Sequence, residues 1–448
     1  MVAMDKDYLI NQKPMKALFI FALPMIIGNL FQQTYNMADA AIVGRYVSEQ
    51  ALAAVGACAA LTNIFICIAV GGGIGASVTV SHYFGGHLYA KMKTAIFTAL
   101  ISFLTVSFLL GLLGFGYSKM LMVFFNTPPD CLEDAVIYLR IYFLGLPFLF
   151  MYNVLSSMFN AMGKSRIPLF FLIFSSILNV FLDYLFVTGF ALGVAGVAWA
   201  TLLAQGLSAV LSFLVLIKML NIFEKKQFSL FDKNELVAMV KVALPSIFQQ
   251  ATVSIGMMVV QSVVNSFGSE ALAGYSAGVR IHYICTVTMN AFGNAVSPFT
   301  AQNLGAGKPD RVIEGYHAAN KMILLSALLT CMIVEPFHKQ MVSFFLGDHG
   351  TITALETGGG YISFLAWFFC LIGFKMAVDG ILRGAGDMKM FTIANFANLL
   401  IRVLFAFTFA PKYGIPFVWY AVPLGWLVNW CISFREYKSG KWRRTGQF

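Results

Sequence analysis

Two acids in apolar surroundings carry the chemistry this chain can do: Asp39 and Asp183. Asp39 ends the stretch Gln32 to Asp39, QQTYNMAD, inside an apolar run over 15–43. Gln32, Tyr35, Asn36 and Asp39 fall at i, i+3, i+4 and i+7, so on a helix they share one face. An ionisable group in a membrane-length helix costs roughly 2.5–3.5 kcal/mol on insertion scales and must face protein or a water-filled cavity. The competing reading places Asp39 at the helix end, among lipid headgroups. Asp183 closes a second polar pair, with Asn179 one turn before it in ILNVFLDY. Thr201 and Gln205, one turn apart, stand in the next apolar run. Counted at about 1.5 Å per residue, the two carboxylates, the amide and the hydroxyl fall at similar depth.

Two carboxylates close together in a low-dielectric site do not both stay ionised. They hold a proton, or they hold a monovalent cation such as Na⁺ with the oxygens of Asn179 and Thr201. Either event changes the charge of a polar helix bundle and biases a two-state equilibrium. Asn179 and Asp183 acting as interhelical hydrogen-bonding glue is the simpler alternative.

The elements that position these residues are transmembrane helices. The 448 residues are 59% hydrophobic and only 11% charged, with a mean hydropathy of +0.78. Soluble domains carry about 25% charged residues. Twelve spans are expected, over about 15–43, 51–80, 92–116, 135–160, 167–189, 192–219, 236–266, 271–300, 314–334, 352–382, 389–410 and 415–435. Barrel strands would be short and alternating, so the class is an all-α polytopic membrane protein. The first run is too long for a signal peptide and stays as a span.

With the N-terminus inside, twenty-two of the thirty Lys and Arg residues lie on the cytoplasmic side, Lys6, Lys225, Lys226, Arg383 and Arg444 among them. Only Arg45, Lys119, Lys339 and Lys412 lie outside, and Arg140, Arg280, Lys375 and Arg402 fall inside spans. Both termini are therefore expected in the cytoplasm. The formal charge of +10 is spread over short loops and forms no nucleic-acid patch. The seven cysteines are scattered and read as small core residues without a disulfide or metal framework.

The chain repeats. Ala22-Leu23-Pro24 recurs as Ala243-Leu244-Pro245, and Ser48-Glu49 as Ser269-Glu270. Gly73 matches Gly293, Ser77 matches Ser297, and Gly163 matches Gly386. The polar stretch 221–235 separates an amino-terminal lobe, 1–220, from a carboxy-terminal lobe, 236–448. Six spans in each lobe make the two bundles parallel, the arrangement of an alternating-access carrier. Pro24, inside span 1, permits a bend there. The run Gly71–Gly75, GGGIG, lacks the strand-to-helix setting of a phosphate loop and reads as close helix packing. No Walker motif occurs, so ATP does not drive the protein directly. A central cavity is expected between the lobes, lined by Gln32, Tyr35, Asn36 and Gln205 from the first and by Gln249, Met257, Met258, Gln261, Arg280 and Tyr283 from the second.

Together, ALP at the start of both halves, QxxYNxxD in span 1, NVFLDYLF followed by GVAGVAWAT, NLGAGKPDR over Asn303–Arg311 and LRGAGD over Leu382–Asp387 resemble the MATE family of multidrug and toxic compound extruders, in its bacterial DinF-like branch. The resemblance covers essentially the whole chain. It implies cation-coupled antiport, by H⁺ or Na⁺, that exports amphipathic and often cationic molecules. It places the coupling site on Asp39, Asn179, Asp183 and Thr201, the four residues selected above. It also implies a monomeric, non-enzymatic carrier without cofactor in a bacterial plasma membrane. The chain departs from the pattern in its carboxy-terminal lobe, where Arg280, Lys375 and Arg402 stand and Asp379 follows Lys375 by one turn. These cations argue against a second cation site there. Arg280 points to a runner-up function, a flippase for lipid-linked precursors of the wider superfamily, against which twelve spans count; a membrane-bound enzyme or receptor lacks a nucleophile–base set, a metal cluster and an appended soluble domain.

Overall fold

The computed structural model describes residues 7–223, 227–347 and 350–445. Lys6, Lys225 and Lys226, and the side chain of Arg444, lie outside the described residues. Among those described the regular structure is helical throughout. After a short α1 (Tyr8–Asn11) come the long helices α2 (Pro14–Tyr46), α3 (Glu49–Gly85), α4 (Tyr89–Phe124), α5 (Leu132–Ala161), α6 (Arg166–Tyr184) and α7 (Gly193–Leu220). They are followed by α8 (Lys233–Asn265), α9 (Ser269–Gly305), α10 (Pro309–Leu346), α11 (Ile352–Ala366), α12 (Phe369–Gly384), α13 (Met388–Tyr413), α14 (Pro416–Ser439) and a terminal turn, α15 (Trp442–Thr445).

Ten of these helices are long and apolar enough to cross a membrane singly. Helices α11 and α12 make one more span, bent by 54°. The 37-residue α9 is of spanning length but less apolar, because it carries Glu270, Arg280, His282 and a run of polar residues near its end. The bend between α11 and α12 falls where Trp367 and Phe368 interrupt the helix.

Two compact units emerge. One contains Ile27–Ile247; the other contains Met1–Ile26 and Phe248–Phe448. The division falls just beyond Pro24 in α2 and just beyond Pro245 in α8. Each of these helices therefore gives its first segment to one unit and the remainder to the other.

Small residues set the packing inside each unit. A Cβ at Gly71 would stand 2.6 Å from Ile247 Cα, and one at Gly75 would stand 2.5 Å from Ala243 Cα. The glycine run of α3 is thus a contact face for the backbone of α8, as its sequence suggested. In the other unit a Cβ at Gly380 would lie 2.6 Å from Gly293 O, and one at Gly384 would lie 2.4 Å from Ser297 O. These glycines bring α12 onto α9. The matched turn glycines Gly163 and Gly386 have φ of 73° and 75°, left-handed values that favour glycine in both copies of the repeat.

Short segments close one end of each unit. Tyr8, Leu9 and Ile10 of α1 are buried in the second unit. Arg311 Nη2 donates to Gln12 O at 2.6 Å, and Asn303 Nδ2 donates to Leu9 O at 3.2 Å. In the first unit the segment before α8 lies along α4. There the amides of Ser229 and Asp232 donate to the hydroxyls of Thr94 (3.1 Å) and Thr98 (3.0 Å), and Phe228 stacks on Phe97.

Candidate functional site

The first unit brings together the four residues singled out by type and spacing. Asp39 comes from α2, Asn179 and Asp183 from one face of α6, and Thr201 from α7. Asp183 is fully enclosed and Asn179 is nearly so. The carboxyl groups of Asp39 and Asp183 meet within hydrogen-bonding reach of each other. Asp39 Oδ1 and Asp183 Oδ1 receive no other hydrogen bond among the described residues. Directly after Asp183 the helix widens into a π-helical turn over Leu185–Gly189, so α6 loses its regular bonding beside the acid.

Asn179 is the junction of the cluster. One end of its amide lies 2.7 Å from Tyr35 Oη and 3.0 Å from Asp183 Oδ2; the other lies 3.3 Å from Thr201 Oγ1 and 3.1 Å from Thr201 N. The seating with Nδ2 toward Asp183 satisfies both ends of the amide, whereas the opposite one sets Nδ2 3.1 Å from the Thr201 amide, donor against donor. With Nδ2 toward Asp183, it donates to an ionised carboxylate and to Tyr35, while Oδ1 accepts from Thr201. With Oδ1 toward Asp183, two oxygens face each other, and a proton or cation must sit between them. In that arrangement Nδ2 donates to Thr201 Oγ1 at 3.3 Å. The donor set is all oxygen apart from this one nitrogen, so it fits H⁺ in either seating and Na⁺ only in the second.

A cavity of about 430 Å³ opens beside the cluster, within the same unit. Gln32, Tyr35, Asn36, Asn179, Thr201 and Gln205 line it, and Gln32 Nε2 donates to Asn36 Oδ1 at 3.0 Å. The polar face of α2 is therefore a cavity wall. Sequence reasoning missed Asn29, Asn153 and Ser176, which also line it. Asn29 and Ser176 each precede a chosen residue by one turn (Gln32 and Asn179), and that spacing could have found them. Asn153 and Tyr138 come from α5. Tyr138, which lines a small gap with Thr201 and Gln205, gives no periodic signal in an aromatic-rich helix.

The expected residues of the second half do not form one group. Gln249 is buried among α12 and α13, where its Nε2 donates to Asn395 Oδ1 (3.4 Å) and its Oε1 accepts from Arg383 Nη1 (3.4 Å). Tyr283 donates its hydroxyl to Met257 Sδ. Met258, Gln261 and Arg280 are exposed on the surface of their unit. Pro24 is buried within an unbroken α2.

Arg383, assigned from sequence to a cytoplasmic turn, instead lies inside α12, enclosed by its unit. Its guanidinium also donates to Asn294 Oδ1 at 3.1 Å and Ser297 Oγ at 3.4 Å. The helix runs two residues further than the charge suggested, which puts Arg383 in its last turn. Lys375 and Asp379 do pair, at 2.9 Å, and Asn395 and Ser433 complete their hydrogen bonding. Asp379 is thus occupied by an internal cation.

A two-unit helical bundle with buried carboxyls beside a polar cavity defines a multi-pass membrane carrier. The MatE family model matches residues 24–185 and 245–408, one match in each half, and the chain belongs to that family of membrane transporters. It is 28% identical over 438 residues to the probable multidrug resistance protein YpnP of Bacillus subtilis strain 168, covering 97% of each chain. It is 25% identical over 352 residues to an FAD transporter of Shewanella oneidensis, covering 77% of each. Its fold matches a solved structure described as the outward-facing conformation of a multidrug resistance MATE family transporter of the MOP superfamily. That match has a TM-score of 0.90 at 22% identity and covers both chains completely.

Proposed function

We propose that this protein is an antiporter that exports amphipathic small molecules across a bacterial plasma membrane, driven by inward movement of H⁺ or Na⁺. The meeting of the Asp39 and Asp183 carboxyls carries this reading. Two such groups in an apolar bundle hold a proton or cation between them, and releasing it leaves like charges in contact. Charge state then selects between conformations.

Asn179 supplies the linkage. Its amide presents nitrogen to ionised Asp183 and oxygen to the protonated or cation-bound acid, and the turn is transmitted to Tyr35 and Thr201. These line the polar cavity, so loading the ion rearranges the wall that a substrate touches. Pro24, at the junction of the two units, is the hinge in this scheme. The names of relatives such as YpnP support multidrug export as the broad activity. The positive-inside count supports cytoplasmic termini, and the chain acts as a monomer without ATP or cofactor.

The test is transport in liposomes holding the purified protein. A fluorescent organic cation is followed under an imposed pH gradient and then under an imposed Na⁺ gradient, with wild type beside Asp183→Asn. Movement that follows one gradient and disappears in the folded variant supports antiport and names the ion. Equal movement in the variant removes the carboxyl pair from the mechanism.

A further inference from the structure

The second unit buries Lys375, Arg383 and Arg402. Lys375 is matched by Asp379, and Arg383 is held by three neutral acceptors. Arg402 differs from both. It is only 7% exposed, yet among the described residues no hydrogen bond or ion pair reaches its guanidinium, and its Nε is fully enclosed. The guanidinium brings a charge and five donors to this position. A buried cation without a partner is strongly unfavourable, and in a membrane-spanning helix it marks a functional position.

The surroundings are shaped to keep it there. Gly425 of α14 faces it: a Cβ at that position would lie 2.8 Å from Arg402 Cγ and 2.2 Å from Asn398 Oδ1. Any side chain at 425 would push Arg402 and Asn398 away. Trp426, next in sequence to Gly425, leads into an aromatic cluster in which His282 lies 6.1 Å from the ring of Tyr361. The rings of Tyr275 and Tyr361 meet edge to face, with centroids 5.1 Å apart, and His282 stacks on Trp426 at 5.8 Å. A guanidinium beside an aromatic cluster suits an aromatic or amphipathic anion. Tyr283, 41% exposed, is the edge where the cluster reaches the surface of its unit. In the sequence repeat Arg402 stands where the first half has Asn179. At this position of the repeat the first half has an amide and the second a cation.

We propose that Arg402 binds the anionic group, a carboxylate, sulfonate or phosphate, of an amphipathic molecule that the protein transports, with Tyr275, Tyr283 and Tyr361 beside it. This names the substrate class of the carrier proposed above and rests on that reading.

The experiment is equilibrium binding to the full-length protein in phosphatidylcholine nanodiscs, read by fluorescence anisotropy. Fluorescein and rhodamine 123 share one ring skeleton and carry opposite charge. Fluorescein is expected to bind saturably. Arg402→Gln is expected to weaken it about tenfold or more, because the anion then meets no charge. Arg402→Lys keeps the charge without the two-pronged donor and is expected to weaken it about threefold. Rhodamine 123 should bind no more weakly to Arg402→Gln than to wild type. Arg140→Gln, which removes an exposed arginine of α5, should leave fluorescein binding as it is.

Absence of saturable fluorescein binding to wild type overturns the proposal without any variant. So does unchanged affinity in a monodisperse Arg402→Gln, or, if that variant does not fold, in Arg402→Lys. Loss of fluorescein binding in phosphatidylglycerol nanodiscs alone would assign the site to lipid headgroups and overturn the soluble-substrate form. Binding requires no ion gradient. A protein that binds fluorescein but moves nothing under either gradient fails the coupling reading, whereas one that carries a cationic dye yet ignores fluorescein fails this one.

Discussion

Lys375 and Asp379 form a buried ion pair, Nζ to Oδ2 at 2.9 Å, one turn apart on α12. Both side chains are almost fully enclosed, and Asn395 and Ser433 hold the remaining lone pairs of the carboxylate. Removing one partner leaves the other as an uncompensated buried charge, which costs about 3–5 kcal/mol. Lys375→Met is therefore expected to lower thermal stability in detergent sharply. The double variant Lys375→Met, Asp379→Asn should recover much of the loss, since it removes both charges. A double variant as unstable as the sum of the singles would show that the pair contributes through packing alone.

The carboxyl pair of the first unit predicts a different pattern. In the antiport proposed above Asp39 and Asp183 act as one group, so removing either would abolish the shared proton or cation. Asp39→Asn and Asp183→Asn should each reduce gradient-driven efflux to the background of empty liposomes. The double variant should be no worse, because residues that act as a unit are not additive. Initial rates of dye movement measure this. Substantial residual coupling in one single variant and none in the other would assign the ion to one carboxylate.

Two glycines of similar appearance in sequence should respond oppositely to alanine. At Gly274 a Cβ would stand 2.1 Å from the Ala354 carbonyl oxygen, a backbone atom that cannot swing aside. Gly274→Ala must separate α9 from α11 and should destabilise by about 1–3 kcal/mol. At Gly56 a Cβ meets nothing within 4 Å. Gly56→Ala, about two turns into α3, should be neutral or stabilise by up to about 1 kcal/mol through helix propensity. Melting temperatures of the two variants settle the comparison.

Which features were legible from sequence follows from the physics of each signal. A carboxylate in an apolar run is costly, so Asp39 and Asp183 stood out, and helical spacing added Asn179, Tyr35 and Gln32. The glycine run 71–75 read as packing because nothing around it could form a phosphate loop. Arg383 was misplaced because a charge near an apolar boundary looks like a loop, when a long helix can enclose it with neutral acceptors such as Gln249 and Asn294. Gln249 was expected at a cavity wall; only tertiary packing shows that its amide joins the Arg383 and Asn395 network. Nor does spacing reveal that Arg402 lacks a partner, since that depends on the packing of other helices.

The motif over Asn303–Arg311 contributed only a resemblance at first, and the structure gives it a task. Arg311 Nη2 donates to Gln12 O, its Nε donates to Asn303 Oδ1 at 3.0 Å, and Asn303 holds Leu9 O. The two side chains together fix α1, whose Tyr8, Leu9 and Ile10 are at most 3% exposed. A four-residue helix has no stability of its own and depends on such anchors. Arg311→Ala removes a charged donor from two backbone carbonyls and should cost about 1.5–3 kcal/mol locally. Amide hydrogen exchange over Ile10–Gln12 is then expected to quicken at least tenfold, with the amides of α9 unchanged. Exchange at Ile10–Gln12 that stays as slow as in wild type would mean that burial of Tyr8 and Leu9 alone anchors the segment.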